Sequence, residues 1–526
     1  MSFKPTSEQQ TCVTTYGKKE SFKVEAVAGS GKTSTVKLMA ESDDTRTALY
    51  LAFNKAAATE ADGKMPDHVE CRTTHSMAYA AFGAEYREKL SRPKGRGYVN
   101  VAGTVAEITR FFKVKNTGSL SANGISRMAK LTVAAYESSS HPAVSELNIP
   151  QNELLKLSLK ADKNGEVFDK TSVVKHVLTL AKKLWFERTT LSSPVLMTHD
   201  TYLKMYQLSK PVLDYDVIFL DEAQDTSDCV IDIVMGQADH SQVVCVGDSF
   251  QAIYGWRGAV NALAKIPSQS TPLSQSFRYG PRVAAVATHI LDGAMQVRGF
   301  DQLDTKIGEV DRNSPYVVLF RTNAALIEEG MHLITQGVNV LIDIDTRGYV
   351  KKLEAAAALY AGDKKKADKQ EDICVFDNWS ELKDEAELVK GELARIAKQV
   401  ESGEWRKTVK TLSTYNKPWD ADVTLTTAHK SKGMEYPQVV LADDFPDVID
   451  DEGEYHELPD MERNLIYVAT TRAQGCLELN QTVLDIIEHR TAGDDRIFKE
   501  GFDIAEDRAD MAGYVNDLLL DNEPPF

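Results

Sequence analysis

The sequence predicts an α/β protein with parallel sheets in two halves, each half interrupted by a mainly helical segment. Three observations carry that prediction. A glycine-rich turn, Gly29-Ser30-Gly31-Lys32-Thr33, joins an apolar strand-like run (Phe22, Val24, Ala26, Val27) to a segment with helical spacing. Three strand–helix units follow one another within about eighty residues, the pattern of a parallel sheet with crossover helices. The same alternation resumes in DYDVIFLDEAQD, from Asp214, and again beyond Val423, each time after a stretch without clear strands.

Bulk properties narrow the class. At 526 residues the chain is too long for one hydrophobic core and suggests about three to four domain-sized units. Hydrophobic residues make up 42% and charged residues 26%, the balance of an ordinary soluble globular protein. No apolar run is long enough to span a bilayer, and MSFKPTSEQQ lacks the basic start and apolar block of a signal peptide. The expected setting is therefore cytoplasmic (nucleoid-associated, or the cytoplasm of a phage-infected cell), not secreted and without a membrane partner. The six cysteines are scattered without C-x-x-C pairs, which fits reduced thiols and indicates no zinc site. A net charge of −17 argues against holding nucleic acid by overall basicity, so such a site must be a local groove.

The elements follow in order. PTSEQQ offers Gln9, whose amide can read an adenine edge; taken singly, it reads as a solvent-exposed helix cap. In AVAGSGKTSTVKL the glycines let successive N–H groups point at an anion, and the new helix sets its positive end there. Lys32 then reaches the β/γ-phosphates and the Thr33 hydroxyl can ligate Mg²⁺. The pattern G-x-x-x-x-G-K-[ST] is met except at its first glycine, where this chain has Ala26. Thr47 to Phe53 alternates as a buried strand before an alanine-rich helix from Asn54, and HVECRTTH repeats the pattern into a helix at His75. Phe53–Asn54 and Thr74–His75 would thus sit on the ligand-bearing edge of the sheet.

From about Ala84 to Leu191 the pattern is helical, with a basic stretch of Arg87, Lys89, Arg92, Lys94 and Arg96, then Arg110, Lys113 and Lys115. Val217 to Leu220 is a continuous apolar strand that delivers Asp221 and Glu222 at its end. Adjacent carboxylates there suit one to hold Mg²⁺ and one to orient or deprotonate an attacking water. A strand from Gln242 to Val246 leads to Gln251, placed to sense a γ-phosphate, and to Tyr254, Trp256 and Arg257. Trp256 and Arg257 can stack on bases and contact phosphate, or simply be a core ring beside a surface arginine. The second half begins near Thr271 with Phe277 and Arg278, and its strand PYVVLF leads into a helix. A charged stretch from Gly348 to Asn416 has the Glu/Lys spacing of exposed helices. Beyond it His429, Lys430 and Glu435 cluster after one strand, and Arg472 follows another apolar run. An arginine supplied by a second domain to a phosphate site stabilises transferring-phosphoryl charge.

As an ordered set, PTSEQQ, AVAGSGKT, AFNKAA, RTTHSMAY, FLDEAQD, VGDSFQAIYGWRGA, LSQSFRYG, TTAHKSKGMEYP and NLIYVATTRA resemble the motifs of superfamily 1 helicases of the UvrD/Rep/PcrA type. MTHDTYLKMYQLSKP, TTAHKSKGMEY and LADDF look more like the F-box DNA helicase branch, although no F-box is expected here because the glutamine motif starts within ten residues of Met1. The resemblance implies two RecA-like P-loop domains, 1–83 with 192–270 and 271–347 with 417–482, ATP in the cleft between them and single-stranded DNA across their top. It implies a helical insertion at 84–191, a reduced one at 348–416 and a C-terminal segment at 483–526.

By motif, Gln9 would read adenine, Phe277 would stack on the base, and Ala28, Gly29, Ser30, Gly31, Lys32, Thr33 and Ser34 would cradle the phosphates. Thr33 and Asp221 would hold Mg²⁺, Glu222 would position water, Gln251 would sense the γ-phosphate, and Arg278 and Arg472 would be arginine fingers in cis. Glu435 would contact the ribose side, and Phe53, Asn54, His75, Tyr254, Trp256, Arg257 and His429 would face DNA. The implied activity is ATP-driven 3′→5′ movement on single-stranded DNA with duplex unwinding at single-/double-strand junctions. Protein displacement without unwinding, and a DNA-dependent ATPase switch, are the alternatives. Two departures stand out: the second insertion is small for the family, and Ser276 replaces an asparagine ahead of Phe277. The acidic tail DLLLDNEPPF resembles the tip of bacterial single-stranded-DNA-binding proteins and is a candidate contact for a replication or repair protein, against the plain reading of a solubilising tail.

Overall fold

The computed structural model describes residues 4–91, 102–117, 120–163, 167–255, 261–266, 268–389, 391–450 and 452–491. Trp256, Arg257, the basic residues Arg92, Lys94 and Arg96, and the tail from residue 492 lie outside the described residues.

The first sheet contains β1 (Phe22–Ala26), β2 (Ala48–Leu51), β3 (Val69–Arg72), β4 (Val217–Leu220), β5 (Gln242–Gly247) and β6 (Gln269–Leu273). Their order is β3-β2-β4-β5-β1-β6 and every pairing is parallel, with Leu51 opposite Leu220 and Phe22 opposite both Val244 and Gln269. β4 (VIFL) and β5 are buried along their whole length. A strand covered by helices on both faces needs such a run rather than an alternating one. β6 carries this sheet to Leu273, beyond the boundary expected at residue 270.

The second sheet contains β7 (Lys306–Ile307), β8 (Tyr316–Phe320), β9 (Val340–Ile342), β10 (Val423–Thr427), β11 (Tyr436–Leu441) and β12 (Ala473–Glu478). Its order is β7-β12-β11-β8-β10-β9, again all parallel. Helices start where side chains supply caps. Asn54 accepts from Ala57 N, Thr73 from Ser76 N and Thr322 from Ala325 N, each relieving an orphan donor of a first turn. Two parallel sheets flanked by helices, as the sequence predicts, put the strand ends that carry the motifs along one edge of each sheet.

The segment between β3 and β4 folds into helices, chiefly 105–112, 122–138, 151–163 and 170–189, around Ile108, Ile125, Val133, Tyr136, Val177 and Leu184. The stretch from 348 to 416 is helical too, but not simply exposed. Leu353, Ile396 and Leu412 are buried in a core shared with Ile342 of β9 and Leu425 of β10, because the Glu/Lys pairs mark only the solvent face of these helices. The two helical segments touch each other. Asn123 Nδ2 donates to the Cys374 carbonyl at 2.8 Å, and Lys130 pairs with Glu371 at 2.7 Å. A cleft of about 600 Å³ between them is lined by Arg110, Lys364, Lys365 and Lys369 against Asp368 and Asp377.

The halves are joined by an apolar seam. Val27, Ala28 and Ile253 of the first half share one core with Tyr279, Val283, Leu465 and Tyr467 of the second. Among the described residues no helix is long and apolar enough to cross a membrane.

Candidate nucleotide and nucleic-acid sites

β1 ends in a loop in which Gly29 and Gly31 adopt φ of +76° and +77°, a left-handed conformation that side chains disfavour. Gly31 caps the helix Lys32–Glu41, so that helix directs its free N–H groups into the loop. Gly29 is required twice over. A Cβ there would lie 2.6 Å from Arg278 Cβ and 2.8 Å from Ser276 Oγ, both from the second half. Ser30 Oγ is buried in the loop with no protein partner, as expected of a group that awaits a ligand.

The end of β4 faces this loop. Lys32 Nζ lies 3.3 Å from Glu222 Oε1. Burial opposes the lysine charge, but Glu222, Asp248 and Asp221 override it and hold its pKa above the usual value. Burial raises the Asp221 carboxyl and the adjacent Glu222 charge adds to it. Glu222 goes the other way: burial works against ionisation, yet Lys32, Lys432 and a hydrogen bond from Gln224 pull its pKa below the ordinary range. The two neighbouring carboxyls thus shift in opposite directions, because the lysines act most strongly on Glu222. Glu222 sits at φ +49°, a sparsely populated conformation for a non-glycine residue at a functional turn.

Tyr50 OH donates to Asp221 Oδ2, and the Thr33 side chain is near enough to act on the same hydroxyl. Hard oxygens in this number suit Mg²⁺, which takes one or two carboxylates and completes its shell with substrate phosphates and water. The donor set and the unpartnered Ser30 hydroxyl therefore fit an Mg²⁺–nucleotide. Further along, Gln251 Nε2 donates to Asp248 Oδ2 at 2.7 Å. Asp248 is fully buried, and that burial pushes its carboxyl up to about 6.

Gln9 is buried, 1% exposed, so it is not a solvent-exposed cap. It does cap the first helix, accepting from Thr6 N at 3.0 Å, while its Nε2 donates to Thr35 Oγ1 at 3.2 Å on the helix that follows the loop. Ser34, the third residue of that helix, is exposed.

The second half closes over the loop. Ser276 Oγ donates to Ala28 O and Phe277 N donates to Gly29 O, both at 2.8 Å. The Phe277 ring packs edge-on against Phe300 at 5.5 Å. Tyr467 OH accepts from Ala28 N at 3.1 Å and donates to Asp248 Oδ2 at 3.2 Å, tying the loop to the second half's helix Asp460–Thr470. Arg278 Nε donates to Glu435 Oε1 at 2.7 Å, and Gln474 donates to the other oxygen of that carboxylate at 2.7 Å. Arg472 is wholly buried, its guanidinium donating to Val468 O at 2.7 Å, Met434 O at 3.2 Å and Thr471 Oγ1 at 3.0 Å. Burial and the neighbouring Arg278 push it down to about 9, which leaves it charged at neutral pH.

The strand-end residues form two aromatic groups. Phe53, 49% exposed, stacks on Tyr254 with centroids 6.4 Å apart and planes 9° from parallel. Tyr254 in turn donates to the His429 carbonyl at 3.2 Å and lies 6.5 Å from its ring. A half-exposed ring such as Phe53 offers a face on which a base can stack. His75 is in the second group: its Nε2 meets Asp200 Oδ1 at 3.0 Å and its ring lies edge-on to Tyr202. The side chain of Asn54 is committed to its helix cap.

His429, Lys430 and Glu435 do not cluster as the sequence spacing suggests. His429 lies beside Tyr254, Lys430 pairs with Asp343 at 2.6 Å, and Glu435 meets Arg278. Sequence reasoning passed over Tyr50, Gln224, Asp225, Lys432 and Tyr467. Within HKSKGMEY only packing across the halves distinguishes Lys432 from Lys430.

Residues 6–266 match the UvrD/REP helicase N-terminal domain and residues 230–482 the UvrD-like helicase C-terminal domain. The chain is 32% identical over 497 residues to F-box DNA helicase 1 of Gallus gallus, covering 88% of this chain and 47% of that protein. It is 30% identical over 514 residues to F-box DNA helicase protein 1 of Schizosaccharomyces pombe, covering 88% of this chain and 56% of that one. The chain thus spans about half the length of the curated relatives it matches. Both sheets, the glycine loop and the carboxylate pair lie within the matched residues, and the chain belongs to the UvrD-like family of superfamily 1 helicases.

Proposed function

We propose that this chain is an ATP-hydrolysing DNA helicase that moves 3′→5′ on single-stranded DNA and unwinds duplex at a junction. The observation that carries the reading is the shared lining of one site. Lys32, Asp221 and Glu222 come from the first half, while Ser276, Arg278 and Tyr467 from the second meet the same loop or its carboxylates. The two motor domains are the portions that carry the two sheets, with the helical segments from 84 to 191 and 348 to 416 as insertions.

In this reading Gln9 and Phe277 hold the adenine, Glu435 lies on the ribose side, and residues 28–34 cradle the phosphates. Thr33 and Asp221 would hold Mg²⁺, which supplies charge neutralisation at the β/γ-phosphates when bound. Glu222, kept ionised by Lys32 and Lys432, orients the attacking water, and Gln251 senses the γ-phosphate. Arg278 exchanges its Glu435 pair for the γ-phosphate, joined by Arg472, so ATP favours a closed cleft and hydrolysis releases it. Phe53, Tyr254, His429 and His75 face the strand, with Asn54 capping the helix between them and Trp256 and Arg257 beyond the described residues. Stacking is worth about 1–3 kcal/mol per base and tolerates any sequence, which suits a motor that advances along its track. The basic cleft between the insertions supports a junction as substrate, since Arg110, Lys365 and Lys369 concentrate positive charge on an otherwise acidic protein.

Steady-state ATP hydrolysis with and without single-stranded DNA tests the motor; turnover indifferent to DNA would refute it. Partial duplexes with a 3′ or a 5′ tail read polarity, and displacement of a bound protein block without strand separation would favour the stripping alternative. The acidic tail is proposed to dock a replication or repair protein, and pull-downs in which loss of Pro524–Phe526 changes nothing would remove that role.

A further inference from the structure

We infer that Lys432 is the positioning residue through which an occupied strand-facing aromatic pair is transmitted to the carboxylates of the nucleotide site. The inference rests on the motor reading above and adds to it the residue that links its two sites. Lys432 follows the short helix Ala428–Ser431 of the second half, and its side chain is 9% exposed. All the groups its ammonium meets belong to the first half. It donates to Asp225 Oδ2 and, at 2.5 Å, to the carbonyl of Gln251, and it lies 5.3 Å from the centroid of the Tyr254 ring.

These acceptors lead in two directions. Asp225 follows the Asp221–Glu222 pair on the same turn, and its other oxygen is buried without a partner. Gln251 bonds Asp248, whose carboxylate also meets Tyr467 and so the glycine loop. Tyr254 is the inner ring of the stack whose outer ring, Phe53, is exposed. One buried cation therefore rests on an aromatic face that reads the strand and on anions that belong to the hydrolytic site.

The charge count makes its position consequential. Among the described residues, Lys32 acts on Asp221, Glu222, Asp225 and Asp248, Lys432 acts on Glu222 and Asp225, and Arg472 faces Asp248. A cation is attracted to a ring face at this range, so a base that shifts Tyr254 changes where the ammonium is held. Because attraction between charges varies steeply with distance in a low-dielectric interior, such a displacement alters its pull on Asp225 and Glu222. Because lysine and acceptors sit on opposite halves, opening of the cleft breaks the whole set together.

The test is a linkage measurement, since coupling between two ligands is reciprocal and is read apart from either affinity. Affinity for Mg²⁺–AMP-PNP is measured with and without a saturating thymidine oligonucleotide of about 16 nucleotides, a length matched to single-strand site sizes. The parent protein, Lys432→Met, and Lys432→Met combined with Asp225→Asn are compared. The double variant removes both charges, so no lone buried carboxylate threatens folding. The parent should show a coupling factor of about 5–150. In both variants the factor should fall to within about twofold of unity, whatever each ligand's own affinity becomes. Variants that retain the parental factor would overturn the role of Lys432 and leave the motor standing. A parent protein without coupling would overturn the motor reading and this inference with it.

Discussion

Replacing Gly29 by alanine tests the idea that the glycine loop is shaped by the opposite half as much as by the nucleotide. Two costs arise. The backbone sits at φ +76°, and placing a Cβ there costs about 1–2 kcal/mol. The new methyl would also lie 2.6 Å from Arg278 Cβ and 2.8 Å from Ser276 Oγ, so the halves must part locally. That separation strains two hydrogen bonds of 2.8 Å, from Ser276 Oγ to Ala28 O and from Phe277 N to Gly29 O. Each is worth about 0.5–1.5 kcal/mol, and together with the backbone strain the loss comes to about 2–5 kcal/mol. Every 1.4 kcal/mol is tenfold, so kcat/KM for ATP should fall at least about thirtyfold. Far-ultraviolet circular dichroism should be unchanged, because the clash is confined to the seam between the halves. A Gly29→Ala protein with kcat/KM within about threefold of the parent would refute the reasoning.

Other outcomes follow from the same geometry. Glu222→Gln should lower DNA-stimulated kcat by about 10²–10⁴-fold while oligonucleotide affinity stays parental, read by hydrolysis and fluorescence anisotropy. Phe53→Ala should weaken single-stranded DNA binding by about 1–3 kcal/mol without altering nucleotide affinity in the absence of DNA. Asp248→Asn should stabilise the protein at pH 7 to 8. Burial raises the folded-state pKa of Asp248 from 3.8 to about 6, so the native state binds the extra proton. Stability therefore falls as pH rises from about 4 to 6, and the penalty, about 3 kcal/mol at most, is then constant. Denaturation midpoints of the parent and Asp248→Asn should converge below pH 4; a gap that widens on acidification would reverse the sign.

Much of the fold was legible because buried parallel strands are continuous apolar runs and their helices open with small polar caps. FLDEAQD and AVAGSGKT announce themselves in this way, since apolar residues that must be buried stop abruptly at residues that bear charge or lack side chains. The helical stretch 348–416 was less legible. Its Glu/Lys pairs describe the exposed face, whereas Leu353, Ile396 and Leu412 show their burial only against β9 and β10. Gln9 gave an ambiguous signal for the same reason, as an amide that caps a helix looks alike in sequence whether water or a second helix covers it.

By itself the sequence determined the two parallel-sheet halves, the loop with its Lys32 and Thr33, and the Asp221–Glu222 pair, because local pattern dictates strand, turn and helix. Only the tertiary structure decided which distant groups meet there. Tyr467 lies 439 positions from the loop residue it holds, Lys432 lies 207 from Asp225, and Arg278 lies 157 from Glu435. The first two depend on how two separately patterned halves meet across an apolar seam, and the third on how distant segments of one half pack together. No periodicity in the chain encodes that packing, because it is set by the fit of side chains that do not neighbour one another until both halves have folded.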